Sequence, residues 1–128
     1  MGIIIFNKEK NIIVLSAEID GVEKKVRTVL ALDTGASYVM IPWEIAEALG
    51  IRPELSTEFT EVITASGVEK VPIVYLEKVS VVGEEVRNVK AVVHDLPEKS
   101  YVDGLIGLSF LRNFKVTIDF KQGVLTIE

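Results

Sequence analysis

One carboxylate constrains this chain more than any other residue. Asp33 stands between two apolar stretches: Val26, Val29, Leu30, Ala31 and Leu32 run into it, and Tyr38-Val39-Met40-Ile41 resume after Thr34, Gly35, Ala36 and Ser37. Both flanks read as core strands, so the acid falls where a buried strand ends. Taking an ionised carboxylate out of water costs several kcal/mol unless charge or hydrogen bonds compensate. Thr34 offers a hydroxyl and Gly35 an unobstructed backbone amide, and both can orient or hydrate the acid. The local chemistry is that of a held, partly buried carboxylate.

What surrounds this acid is limited by size and composition. At 128 residues the expectation is one domain spanning 1–128, large enough to bury a core and too small for two lobes. The formal net charge is -5, and the acids are interleaved with Lys and Arg, with no long basic cluster. That argues against nucleic acid as a partner and reads as solubility. There is no cysteine, which removes a disulfide framework, a thiol nucleophile and thiolate metal sites. A single histidine, His94, argues against a His-based metal site or a Ser/His triad within one chain, and neither metal nor cofactor is expected. Residues 1–6 are apolar but end at Asn7-Lys8-Glu9-Lys10, which reads as a short strand and not a signal peptide. Gly2 is followed by Phe6 where a myristoylation signal needs Ser or Thr, and no run reaches membrane-spanning length. No membrane partner is expected, and the location expected is cytoplasmic.

Taken in order, the chain predicts an all-β fold with one or two short helices. Ile12 to Ile19 is β-branched and bounded by Asp20-Gly21, a two-residue hairpin signal, with Val26 to Leu32 as its partner. Pro42 to Gly50 predicts a helix: Pro42 suits the first helical position, Glu44 the first turn, Gly50 the stop, and Ile45 and Leu49 share a face. Trp43 on that helix reads as a packing residue. Glu58–Thr64 and Val68–Val79 predict strands joined through Ala65-Ser66-Gly67, a turn of small residues able to approach a ligand through backbone alone. Val79 to Val82 and Val86 to Val93 predict another strand pair, turned at Gly83-Glu84-Glu85. His94 reads as a surface residue, Leu96 to Tyr101 as a loop, and Asp103-Gly104 as a turn. Leu108 to Asn113 predicts a short helix, and Val116–Phe120 with Val124–Glu128 a terminal hairpin.

Three stretches, in this order, carry a family likeness: Asp33-Thr34-Gly35-Ala36-Ser37, the Thr64-Ala65-Ser66-Gly67 turn, and Leu105-Ile106-Gly107. Together they resemble the aspartic peptidases, specifically the short retropepsin-like class that works as a homodimer. The resemblance runs from about Ile12 to the end. It implies a closed, barrel-like fold with one lobe per chain, and an endopeptidase that acts on extended polypeptide. The chemistry needs two facing carboxylates and the chain has one copy of the motif, so the second Asp33 belongs to a second copy of the protein. The resemblance implies that Asp33 is catalytic, that the Thr34 hydroxyl links the two loops, and that Gly35, Ala36 and Ser37 meet substrate. It makes Ala65, Ser66 and Gly67 the tip of a flap over substrate, and passes Leu105, Ile106 and Gly107 behind the Asp loop. Either the terminal hairpin or the Met1–Phe6 strand could supply the subunit contact.

Two departures matter. Ala36 stands where two-lobed relatives often have a Ser that stabilises the ionised acid, which predicts activity at mildly acidic to near-neutral pH. Ser37 replaces an acid common in viral relatives, and Leu108-Ser109 follows Gly107 in place of the viral Arg-Asn, so the likeness is to a cellular member. Two rival readings use the same residues. One is a non-catalytic peptide-binding or dimerisation domain on the same fold. The other is a structural barrel in which Asp33 merely makes an ion pair.

Overall fold

The computed structural model covers residues 1–128. Its strands are β1 (Gly2–Ile5), β2 (Val14–Asp20), β3 (Lys25–Leu32), β4 (Val39–Ile41), β5 (Phe59–Thr64), β6 (Gly67–Val81), β7 (Glu84–Val93), β8 (Gly104–Ile106), β9 (Val116–Asp119) and β10 (Val124–Ile127). Two short helices, α1 (Trp43–Ala48) and α2 (Leu108–Leu111), follow β4 and β8. Period-two burial explains the strands: β2 buries Leu15, Ala17 and Ile19 and turns the residues between them outward.

Six strands, in the order β2-β3-β8-β4-β7-β6, form a mixed sheet that closes where β2 pairs again with β6. Two pairings, β3 with β8 and β4 with β7, are parallel. The ring is filled by side chains, among them Leu15, Ile19, Leu30, Ile41, Leu76 and Ile106, with Phe110 of α2 packed against them. The residue pattern predicts a mostly β chain with one or two short helices and the family resemblance implies a closed single lobe, and the structure has both. No helix is long and apolar enough to cross a membrane.

Where the reading of the sequence and the structure differ, the cause is local. The β2–β3 connection is not a two-residue turn: Asp20 pairs with Lys25, and Gly21 N–H donates to the Lys24 carbonyl at 2.7 Å across a four-residue loop. Gly21 is small for another reason, since a Cβ there would collide with the Leu49 carbonyl at the end of α1. The β6–β7 turn is Val82-Gly83, both at positive φ (45° and 84°), while Glu84 and Glu85 already belong to β7. Pro42 is the N-cap of α1 and not its first helical residue, and the Trp43 N–H donates to Asp95 Oδ1 at 2.9 Å. Trp43 is 40% exposed, so it packs only in part. The predicted break near Val79 is absent, because β6 runs unbroken for 15 residues from the hairpin with β5 into the ring. Outside the ring, β1 pairs with β10 and β10 with β9 in a separate three-stranded sheet.

Candidate active site

β3 carries Asp33 to the edge of the ring, and backbone bonds then fix it. Asp33 N–H donates to the Ile106 carbonyl at 3.0 Å, and Gly35 N–H donates to Asp33 Oδ1 at 2.9 Å. Ala36 N–H donates to the Asp33 carbonyl at 3.2 Å, closing a tight turn. Asp33 is half-buried and Thr34 and Gly35 are exposed. Asp33 takes part in none of the chain's ion pairs. An acid set this way in one lobe is oriented but not neutralised.

The loop rests on the segment from β8 to α2. A Cβ at Gly107 would fall 2.6 Å from the Ala36 carbonyl oxygen and would also collide with that of Tyr38, so only glycine lets these backbones meet. Leu108 N–H donates to the Ala36 carbonyl at 2.9 Å and Ser109 N–H to that of Ser37 at 3.0 Å. Val39 N–H donates in turn to Ser109 Oγ at 2.9 Å. Leu105 pairs with Ala31 and Ile106 with Leu32, which sets the height of the supporting strand against the acid.

Over this surface leans the β5–β6 hairpin. Its base is clasped: Ser56 Oγ donates to the Ile73 carbonyl at 2.6 Å, and Ile73 N–H donates to that of Glu58 at 2.9 Å. The Tyr75 hydroxyl donates to Glu58 at 3.1 Å, and that hydrogen bond raises the phenol above its ordinary value. The tip is open by contrast, with Ala65, Ser66 and Gly67 exposed and Ile63 89% exposed. Beneath the hairpin lie two hollows that share Met40, Val62 and Ile63. Gly35, Ala36 and Ser37 line the first, of about 490 Å³. Ala65, Ser66 and Leu105 line the second, of about 460 Å³. Asp33, Thr34 and Gly67 line neither, and Ile106 and Gly107 sit behind the loop.

A held acid after a barrel strand, backed by a glycine crossing, is now joined by a direct comparison. The family model for gag-polyprotein putative aspartyl protease matches residues 15–113. The chain belongs to this retropepsin-like aspartyl protease family. Among solved structures it is similar to a retropepsin-like aspartic protease from Rickettsia conorii, with a TM-score of 0.70 and 28% identity over 98% of this chain and 96% of that one. No curated protein matches it. The matched span holds the ring nearly whole and leaves the β1-β10-β9 sheet outside.

Three residues of this retropepsin-like protease do more than their sequence setting suggests. Asp103 is not merely a turn residue: its Oδ2 accepts from Thr28 Oγ1 at 2.8 Å and from Val29 N–H at 2.9 Å, while its own N–H donates to the Val29 carbonyl at 2.7 Å. It ties the entry of β8 to β3, the strand that carries Asp33. Thr28 is the one polar side chain in the buried set, a signal that its hydroxyl needs a partner. Ser109 pins Val39, and a Ser opening a short helix was the available hint. His94, read as a surface residue, is partly exposed where it lines the second hollow, with Nδ1 3.6 Å from Glu69 Oε2.

Proposed function

We propose that the chain is an aspartic endopeptidase active as a homodimer, with Asp33 of each subunit facing the other across a two-fold axis. The observation that carries this is the Asp33 carboxylate: oriented by Gly35 N–H, unpaired with any cation, and present once in the chain. Two such carboxylates brought together cannot both ionise freely and hold one proton between them, as aspartic proteases illustrate in general. The ionised one takes a proton from a bound water, the protonated one donates to the scissile carbonyl, and the attack needs neither metal nor covalent intermediate. The exposed Thr34 hydroxyl is placed to link the two loops, and Gly35, Ala36 and Ser37 meet the extended substrate. The hairpin tip at Ala65-Ser66-Gly67 closes over it as a flap, contributing backbone where side chains are small. Leu105, Ile106 and Gly107 support the loop from behind.

The subunit contact we assign to the β1-β10-β9 sheet. β1 is an edge strand whose far side pairs with nothing, and Ile5 on its outer face is 82% exposed. An uncovered apolar edge of this kind is a pairing surface.

The rival binding-domain reading has no use for an unneutralised acid, and the ion-pair reading lacks its cation. The test is digestion of a mixture of unfolded proteins by the native chain and by Asp33→Asn, across the acid and neutral range, with products read by mass spectrometry. The expected result is cleavage by the native chain alone, with Asp33→Asn reduced by about 10³-fold or more and its circular dichroism unchanged. A folded native chain that cuts nothing at any pH sinks the peptidase and favours the binding domain.

A further inference from the structure

We infer that the second hollow, between the β5–β6 hairpin and the segment from His94 to Pro97, is a subsite for a basic side chain of the substrate, selected by Glu69. The inference rests on the peptidase reading for its substrate and goes beyond it in naming the side chain. Register gives the geometry. Glu69 pairs with Val62 and Val71 with Thr60, and residues directly opposite share a face of the ladder. Val62 and Val71 pack toward Tyr38, Met40 and Val92, so that face is the one turned to the ring. Glu69 is the one charged residue on it. Facing it across the hollow are His94, 3.6 Å away, and Asp95, whose Oδ1 is already engaged with the Trp43 N–H. No Lys or Arg lines the hollow, and Glu69 and Asp95 are the two acids in its lining. Met40, Leu96, Pro97 and Leu105 supply apolar wall. A Lys or Arg stem runs along such a wall and brings its charge to the acid, which neither a short acid nor a plain aliphatic chain can do.

Glu69 is half-exposed, so the preference is moderate, about fivefold. The experiment uses the Asp33→Asn chain and fluorescence anisotropy with labelled octapeptides, in which a single Lys is walked through a Leu/Ala background beside its norleucine counterpart. At one position the Lys peptide should bind about fivefold more tightly, and Glu69→Gln should erase the difference. Glu69→Lys should move the preference to a peptide with Glu at that same position, a gain that a misfolded variant cannot show. Equal binding of the Lys and norleucine peptides at every position, no binding at all, or a preference that survives Glu69→Gln overturns the subsite. Cleavage of the same peptides with Asp33 intact is scored separately. Charge-selective binding without cleavage would sink the peptidase and leave the subsite standing.

Discussion

Asp103 lends one carboxylate oxygen to two donors, the Thr28 hydroxyl and the Val29 amide, and so fastens β8 beside β3. Thr28 is buried, and removing the acceptor strands its hydroxyl along with a backbone amide. A buried orphaned group costs about 1–3 kcal/mol and Val29 is exposed enough for water to serve its amide, so Asp103→Ala should lose about 2 kcal/mol in urea unfolding, and Asp103→Asn, which keeps an acceptor, about 1. Because β8 also carries the carbonyl that receives Asp33 N–H, the Ala variant should lose kcat/KM beyond its loss of folded protein. Equal stability of the two variants would show that the bonds are not what matters. Asp33 was legible in the sequence because an acid among core strands has no cheap structural excuse. Asp103 was not, because Asp-Gly reads locally as a turn and its partner lies 75 residues away. Ser109 and His94 were missed for the same reason: what defines them is a neighbour the sequence does not place beside them.

At the scale of elements, alternation revealed the strands, but not where one strand serves two structures. β6 belongs to both the hairpin and the ring, and a run of apolar residues carries no mark of that handover. Turns were misplaced where chemistry and geometry disagree. Val82 adopts φ 45° in a two-residue turn that favours Asn-Gly, an unfavourable state for a β-branched residue. Val82→Asn should therefore raise stability by about 1 kcal/mol, read as a higher Tm, and a lower Tm would mean that packing of Val82 against Gly2 outweighs the strain. The β2–β3 hairpin has an electrostatic signature of its own. Glu18 lies 3.1 Å from Lys25 Nζ and 3.5 Å from Arg27, and the Lys25 hydrogen bond holds its carboxyl below the ordinary 4.5. A lowered acid binds fewer protons folded than unfolded, so this contribution is present above pH 4.5 and is lost as pH falls through the folded value. Lys25 is raised above 10.5 by the same hydrogen bond, so its share is present below pH 10.5 and is lost as pH rises through the folded value. Between those limits Glu18→Gln should lower Tm slightly, and the gap from the native chain should close on acidification and in high salt.

For the whole molecule, length and a single copy of the acid motif made one lobe legible, while the closed barrel was legible only through the likeness carried by the Asp33 loop, the Ala65-Ser66-Gly67 turn and Leu105-Ile106-Gly107. Both terminal segments were candidates for the subunit contact from the sequence; that they pair with each other in one sheet was not legible, since neither announces its partner. If that sheet joins the subunits, Ile5→Lys should weaken association on the order of a hundredfold, because each copy loses a buried isoleucine. Sedimentation should show monomer, with the barrel intact by circular dichroism and cleavage returning at high protein concentration. Activity that stays proportional to concentration would place the contact elsewhere. The segment under the acid loop has one more consequence, which concerns time. Asp33 is synthesised well before the Ile106 carbonyl, the Gly107 crossing and the Ser109 hydroxyl that seat its loop. Until those later residues are in place the acid loop has no support to rest on, so the loop is a late-forming part of the fold.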